Sequence, residues 1–320
     1  ATPSFLLSLD APGAETQGET IGASLAWPGS FQVALEVNRM QELRLLAGIN
    51  PFASQYVLDK NELFKTPALL YTYTNGGRGQ VSRNFHRWAR KYGIRDGEKS
   101  RMTLLNNWEA TYFDFNEEKL ARIIRDAASL DLELFLLDDG WFGNKYPRNN
   151  DQAGLGDWQV NKKKLPNGIG FLVKESQKNN VRFGIWIEPE MVNPQSELYE
   201  NHPEWVIAQP HRPPILFRNQ LILDLANPEV QQFVFNAVDD LLRANPGIAY
   251  VKWDCNRFIQ NGGSNYLPAD KQSNLQIGYA RGLLSVYEKV NKAHPGVQLM
   301  LCSGGGGRME YGSRPYCHEY

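Results

Sequence analysis

The spacing of apolar and polar residues changes once along the chain. Up to about Tyr73, short segments alternate apolar and polar residues between Gly, Pro and Asn: FLLSLD, GASLAW, FQVALEV and ALLYTYT. A period of two residues is typical of antiparallel strands with one buried face. Residues 1–80 are therefore predicted to form the C-terminal part of an antiparallel β-sandwich domain. The basic segment that follows has amphipathic spacing and predicts a linker helix over residues 81–100.

From Arg101 onward, compact apolar runs alternate with longer stretches of helical spacing. The six runs are MTLLNNW, LELFLLDDG, VRFGIWIEPE, NQLILDLA, IAYVKWDCN and VQLMLCSGG. Two of the stretches between them carry an Asn where a helix N-cap is expected, at Asn116 and Asn227. Strands that alternate with helices imply a parallel sheet, and strands that are apolar almost throughout imply a sheet covered on both faces.

Chemically capable side chains stand at the end of every run. They are Trp108, Glu109, Asp138, Asp139, Trp186, Glu188, Glu190, Asp224, Lys252, Asp254, Asn256, Cys302 and Ser303. In a doubly wound sheet, only the strands near one switch point would line a ligand site. A contribution from every strand is typical of a (β/α)8 barrel, whose loops gather at one end.

The sequence therefore predicts an α/β fold with a (β/α)8 TIM barrel over residues 101–320, preceded by part of the sandwich. About six of the eight strand–helix units are present. A barrel two strands short would expose sheet edges and an open core. We therefore expect the chain to be a piece of a longer protein, truncated at its C-terminal end, or to obtain the missing strands from elsewhere.

Composition narrows the classes of partner. The 34 Lys and Arg nearly balance the 35 Asp and Glu, giving a net charge of −1. Without a basic stripe, no nucleic-acid partner is expected, and no apolar run approaches the ~20 residues of a membrane helix. We expect a soluble protein without a membrane partner, in a bacterial cytoplasm or periplasm that the sequence does not distinguish. The 3 Cys and 5 scattered His indicate neither a disulfide framework nor a metal site.

The main catalytic hypothesis is based on the segment YVKWDCNRF. Alternation along a strand places Lys252, Asp254 and Asn256 on one face. A carboxylate held ionised by a nearby Lys can serve as a nucleophile, which makes Asp254 the candidate. Carboxylates, Trp rings and amides without a phosphate-binding loop suit a neutral, polyhydroxylated ligand such as a sugar. Glycoside hydrolysis needs two carboxyl groups, ~5 Å apart for retention or ~6.5 to 9.5 Å for inversion, and sequence spacing does not choose the pair.

Each motif taken alone has a simpler structural explanation. KWD could be a surface ion pair, and DDG could be a turn. The glycines at 304–307 lack the Lys and Ser or Thr that would follow in a phosphate loop. The functional interpretation depends on the coincidence of capable side chains at successive strand ends.

Seven segments resemble the successive signatures of glycoside hydrolase family 36, the microbial α-galactosidases. They are NNWEATYFDF, LLDDGWFG, LGDWQVN, WIEPEMV, RNQLILDL, YVKWDCNR and CSGGGGR. The resemblance implies a β-sandwich before a (β/α)8 barrel and a retaining double displacement that needs no metal or cofactor. It implies terminal α-galactosides of the raffinose and melibiose type as substrates, and a homo-oligomer for the full-length protein.

The same resemblance assigns roles to individual residues. Asp254 would be the nucleophile, and Asp138 and Asp139 would hold the 4- and 6-hydroxyls of galactose. Trp108 and Trp186 would form the pocket wall. The subsite would be completed by Arg218, Lys252, Asn256, Cys302, Gly304 and Gly305. The general acid/base of the family is an Asp just downstream of the glycine-rich segment, so it is expected just beyond Tyr320 and absent from this chain.

Other functions stay open at this point. Glu310 stands where the family has Asp. Met300 and Leu301 replace a pair of an acidic and an amide residue, which indicates a subgroup of the family. An α-N-acetylgalactosaminidase would need room around the sugar C2, and a raffinose-synthase-like galactosyltransferase would need a dry acceptor site. A non-catalytic galactose-binding relic would bind galactose without turning over an activated galactoside.

Overall fold

The computed structural model describes residues 2–9 and 13–320. The described residues fall into two compact units. The first comprises residues up to 99 together with 269–280 and 306–320, and the second comprises residues 100–268 and 281–305.

The described part of the first unit contains five antiparallel strands. They are β1 (Ser4–Ser8), β2 (Thr20–Leu25), β3 (Phe31–Val37), β4 (Leu43–Ile49) and β5 (Leu69–Thr74). One sheet has β2 between β1 and β5, and β3 pairs with β4. The central strand β2 is almost fully buried, whereas β5 alternates exposed and half-buried residues, as the two-residue period predicted.

Seven α-helices occur within residues 13–320. They are α1 (Gly77–Trp88), α2 (Trp108–Thr111), α3 (Glu117–Ser129), α4 (Ile169–Lys178), α5 (Glu197–Asn201), α6 (Pro228–Ala244) and α7 (Leu275–Ala293). Both expected N-caps are confirmed, because the Asn116 and Asn227 side chains each accept a backbone N–H of the first turn at 2.9 Å. Helix α1 ends in a π-helical turn over Ala89–Gly93, so the helical segment starts and stops earlier than residues 81–100. None of the helices in the described residues is long and apolar enough to cross a bilayer.

The second unit, described throughout, contains seven strands. They are β6 (Leu104–Asn106), β7 (Leu134–Leu137), β8 (Arg182–Ile187), β9 (Met191–Val192), β10 (Leu221–Ile222), β11 (Ile248–Trp253) and β12 (Gln298–Leu301). Strands β6, β7, β8, β11 and β12 are parallel and lie side by side in that order. Sheet order therefore follows chain order without reversal, as in a barrel and unlike a doubly wound sheet.

The expected count of six barrel strands is wrong, because NQLILDLA does not join the parallel sheet. Its strand β10 pairs with β9 in a separate antiparallel pair. The backbone N–H groups of Leu223 and Asp224 donate to the carbonyl oxygens of Glu190 and Trp205, at 2.9 and 2.7 Å. The run is apolar because it is buried under neighbouring loops, and burial alone does not distinguish such a segment from a barrel strand.

The interior face of the parallel sheet is apolar at one end and charged at the other. A buried apolar cluster is formed by Leu134, Leu136 and Tyr250, with Met102, Leu104 and Met300 packed against it. With the two-residue period of a strand, β7 continues from this cluster to Asp138, and β11 continues to Lys252 and Asp254. The same side-chain face that fills the interior therefore carries the charged groups at the carboxyl ends of the strands.

Candidate active site

Asp138 and Lys252 form a partly buried ion pair at the ends of β7 and β11. Lys252 Nζ lies 2.8 Å from Asp138 Oδ2, and Asn106 Nδ2 donates to the same oxygen at 2.6 Å. Burial lowers the pKa of Lys252, but the Asp138 carboxylate outweighs it and the pKa is raised. The expected direct partner of Lys252 was Asp254, so the structure gives this cation a different main contact.

Asp139 is held by a guanidinium that the sequence analysis did not single out. Arg148 donates from Nε and Nη2 to both carboxylate oxygens, with Nη2 2.8 Å from Oδ2. Its Nη1 donates to Asn193 Oδ1 at 3.0 Å and to Ala153 O at 3.2 Å. Burial opposes charge on Arg148, yet the Asp139 carboxylate raises the pKa of Arg148. A forked guanidinium held this way fixes the direction of the Asp139 oxygens.

Asp254 accepts one hydrogen bond at each carboxylate oxygen. Cys255 N donates to Oδ1 at 2.9 Å, and the indole Nε1 of Trp186 donates to Oδ2 at 3.1 Å. The residue is 6% exposed. The two N–H donors fix the orientation of the carboxylate.

Glu188, Asp254 and Cys302 lie at one level of the sheet. Each directly follows a residue that pairs across the ladder, and these paired residues are Ile187, Trp253 and Leu301. The ladder continues beyond them, because the N–H groups of Asp254 and Cys302 donate to Ile187 O and Trp253 O at 2.8 and 2.7 Å. Neighbouring strands are ~4.8 Å apart, so the three side chains are neighbours. Burial, with Asp254 nearby, raises the pKa of the Cys302 thiol.

The two expected wall residues differ in their surroundings. Trp186 is 2% exposed and its ring lies parallel to that of Phe142, with 6.2 Å between centroids. Its indole N–H donates to Asp254, so Trp186 contributes a hydrogen-bond donor as well as bulk. Trp108 is half-buried and makes edge-on contacts with Tyr112 and Phe113, at 5.3 and 5.1 Å.

The glycine-rich loop after β12 is tied to the segment after β11. Asn256 Oδ1 accepts the N–H of Gly304 at 3.0 Å, and Ser303 Oγ donates to Cys255 O at 2.7 Å. Gly304 and Gly305 have φ of +54° and +90°, a region that side chains with a Cβ rarely adopt. Both glycines are exposed, and the Ser303 N–H donates to the Gly305 carbonyl oxygen at 2.9 Å.

Arg218 lies in the exposed segment of residues 210–219. It forms a tight turn with Asn219, and φ of the two residues is +52° and +58°. No contact of its side chain with the carboxylates of the site occurs among the residues that the structure describes. The turn is nevertheless linked to the site, because Asn193 donates to Asn219 O at 2.7 Å and accepts from Arg148.

Three further strand-end carboxylates are engaged outside this cluster. Glu190 Oε1 accepts from Trp253 Nε1 at 2.8 Å. Asp224 accepts from Ala226 N at 2.9 Å and from the Ser264 hydroxyl. The remaining one, Glu109, accepts from the hydroxyl of Tyr112 at 2.9 Å. Within the described residues, no group of three or more His, Cys, Asp or Glu could hold a metal ion.

Lys164 is a second site-supporting residue that the sequence analysis missed. Its Nζ donates to the carbonyl oxygens of Phe113, Gly140 and Arg148, each at 2.9 Å. The ammonium also lies 4.8 Å from the centre of the Phe115 ring. It joins the loops after β6 and β7, and burial lowers its pKa to about 8. Neither Lys164 nor Arg148 stands at a strand end, so the pattern that located the other residues gives no signal for them.

Two family models match the chain. The Melibiase model matches residues 63–319, and the model of the glycosyl hydrolase family 36 N-terminal domain matches residues 1–59. The chain therefore belongs to the melibiase family, and the resemblance to glycoside hydrolase family 36 is confirmed.

Curated relatives are similar over nearly the whole chain. Alpha-galactosidase AgaA of Geobacillus stearothermophilus is 42% identical over 304 residues, which are 94% of this chain and 41% of that protein. Alpha-galactosidase 1 of Pediococcus pentosaceus is 39% identical over 314 residues, which are 98% of this chain and 42% of that protein. This chain thus spans about two fifths of the length of these relatives.

Solved structures agree with the fold. The crystal structure of the family 36 alpha-galactosidase AgaA from G. stearothermophilus has a TM-score of 0.95 and 40% identity, covering 98% of this chain and 44% of that one. Variants of that protein have been crystallised in complex with raffinose and with stachyose. The predicted fold class, a TIM barrel preceded by an antiparallel β domain, is confirmed.

Proposed function

We propose that this chain carries the galactose subsite and the nucleophile of a retaining α-galactosidase. The observation that supports this most directly is Asp254, a buried carboxylate at a barrel strand end whose two oxygens are each oriented by one N–H donor. Membership of the melibiase family and the raffinose complex of a relative indicate the substrate class. Terminal α-galactosides of the raffinose and melibiose type are the proposed substrates.

The proposed reaction is a double displacement. A carboxylate oxygen of Asp254 attacks the anomeric carbon of the galactosyl group, and the bond from that carbon to the leaving oxygen breaks. The leaving oxygen takes a proton from a general acid. A water oxygen then attacks the same carbon, the ester bond to Asp254 breaks, and the water gives up one proton. Galactose is released with its anomeric configuration retained.

The remaining cluster is suited to binding the sugar. The carboxylates of Asp138 and Asp139 are aimed by Lys252 and Arg148, and carboxylates accept paired hydroxyl hydrogen bonds. We assign the 4- and 6-hydroxyls of galactose to these two residues. Half-buried Trp108 can offer its ring to the apolar face of the sugar.

The loops after β11 and β12 complete the proposed subsite. Asn256, Cys302, Gly304 and Gly305 lie together beside Asp254 through the contacts described above, and are assigned to the side of the sugar near C2. Arg218 is also assigned to this subsite, and the turn that carries it is tied to the site because Asn193 donates to Asn219 O at 2.7 Å and accepts from Arg148. For the longer protein we propose a homo-oligomer.

Covalent labelling tests the proposal. The purified chain is incubated with a ring-fluorinated α-galactosyl fluoride, whose fluoride leaves with little help from an acid, and is then digested and mapped by mass spectrometry. One galactosyl adduct on the peptide that contains Asp254 is expected. Asp254→Asn should abolish it, while Asp240→Asn, at an exposed position of α6, should not.

The outcomes separate the alternatives. Chain that melts cooperatively and binds galactose but takes no label would contradict catalysis and favour a binding protein. Labelling by the glucosyl analogue at an equal rate would contradict the assignment of the 4-hydroxyl. Equal labelling by an α-N-acetylgalactosaminyl analogue would show more room near C2 than Cys302 and Gly304 leave.

A further inference from the structure

Glu188 is a buried carboxyl group that the proposed reaction does not use. It directly follows β8, is 1% exposed, and stands beside Asp254 at the same level of the sheet. Its hydrogen bonds run to two neutral groups, and it forms no ion pair with any residue that the structure describes. A buried carboxylate without a paired cation is costly, and the usual outcome is that it takes up a proton.

The two partners of Glu188 can accommodate either state of the carboxyl group. Asn256 N donates to Oε1 at 2.5 Å, and Gln220 Nε2 lies 2.9 Å from Oε2. The Gln220 side chain is buried, and its Oε1 has no hydrogen-bond partner. If the Gln220 amide turns by 180°, this unpartnered oxygen meets Oε2 and can accept a proton carried there.

The charges around Glu188 favour the neutral form. Burial and the Asp254 carboxylate raise the pKa of Glu188 to about 8, and Asp139 adds to the effect. The Asn256 N–H and the Arg148 guanidinium oppose it, but Arg148 is already paired with Asp139. The nearby Arg257 donates to the backbone oxygens of Gln220 and Ile215.

We propose that Glu188 is a positioning residue of this site, a carboxyl group that keeps its proton at neutral pH. In that state Glu188 adds no second negative charge beside Asp254. Through Oε1, Glu188 fixes the backbone of Asn256, whose side chain in turn holds Gly304. The positioning role rests on the proposed function, whereas the protonation state does not.

The protonation state is tested on the whole chain by carbon-13 NMR with glutamate labelled at the side-chain carboxyl carbon. The resonance that disappears in Glu188→Gln belongs to Glu188, and Glu118→Gln, exposed on α3, provides a matched assignment control. A titration midpoint of about 8 is expected. A midpoint at or below ~5, the range of an unperturbed Glu, would overturn the proposal.

A stability measurement gives an independent readout. The pKa of Glu188 is raised on folding from 4.5 to about 8, so native protein binds more protons than unfolded protein between these values. The contribution of Glu188 to the unfolding free energy is therefore greatest below about pH 4.5 and is lost as the pH rises towards about 8. The wild-type melting temperature should therefore fall relative to that of Glu188→Gln over this interval. Parallel curves would contradict the inference.

The positioning role is tested by galactose affinity at neutral pH. Glu188→Ala removes the acceptor for Asn256 N and should weaken galactose binding by about tenfold or more. Glu188→Gln restores a neutral acceptor and should recover most of that loss. If Gln is as weak as Ala in chain that melts cooperatively, the neutral positioning role is wrong. If wild-type chain binds no galactose, the proposed function fails, while the NMR midpoint still decides the state of Glu188.

Discussion

Replacing Arg148 by Met is expected to destabilise the second unit strongly. Arg148 is 2% exposed, and its guanidinium makes three N–H contacts with the Asp139 carboxylate, at 3.0, 3.2 and 2.8 Å. It also donates to Asn193 and Ala153. Met keeps much of the apolar bulk of the side chain, so the loss is mainly polar. It leaves Asp139 as a buried carboxylate without its cation.

The expected loss of unfolding free energy is large because only one partner of the ion pair is removed. Removing one partner of a buried ion pair typically costs about 3–5 kcal/mol, mostly because the other charge stays behind. Asp139→Asn alone should cost a comparable amount, because the buried guanidinium then lacks its anion. The double variant removes both charges, and its cost should therefore be clearly smaller than the sum of the single costs.

The assay is urea unfolding of the wild-type chain, the two single variants and the double variant, monitored by tryptophan fluorescence and by circular dichroism. Arg125→Met is the matched control, since Arg125 pairs with Glu175 at 3.0 Å but its side chain is 51% exposed. An exposed pair contributes about 0–1 kcal/mol, so this control should change little. Equal costs for Arg148→Met and Arg125→Met, or single costs that simply add in the double variant, would refute the reasoning.

Further predictions concern the glycine-rich loop and one helix cap. Gly304→Ala should lower the unfolding free energy by about 1–2 kcal/mol, because φ at this position is +54°. It should also weaken galactose binding, because the hydrogen bond from Gly304 N to Asn256 is displaced. Gly296→Ala, where a Cβ meets nothing within 4 Å, should change neither measurement appreciably. Asn116→Ala should lower the unfolding free energy by about 1 kcal/mol through the lost cap to Lys119 N, and an unchanged value would contradict that role.

Strand ends were predictable from the sequence because parallel strands have two local signals. Apolar runs identified β6, β7, β8, β11 and β12, and the polar residues that follow each run lie at one end of the sheet. The two-residue period also placed Lys252 and Asp254 on one face. The domain limits at residues 80 and 100 and the roles assigned to individual residues stay predictions.

The side-chain contacts between loops were not predictable from the local pattern of apolar and polar residues. Arg148 and Lys164 lie in long loops, and their partners are fixed only when the loops fold against each other. Lys252 was expected to act on Asp254, two residues away, but it pairs at 2.8 Å with Asp138, which follows β7, two strands away in the sheet. NQLILDLA was misassigned because apolarity reports burial and not the identity of the hydrogen-bonding neighbour.

Because Glu188, Asp254 and Cys302 lie at one level of the sheet, insertions and deletions have different effects at different places in the chain. Their spacing is set by the same ladder that aligns the apolar interior, so one residue inserted within β11 would rotate Asp254 outwards and Trp253 inwards together. Additions placed beyond this level leave the ladder untouched. The exposed segment of residues 210–219 lies outside the ladder, so a change in its length leaves the spacing of these three side chains unchanged.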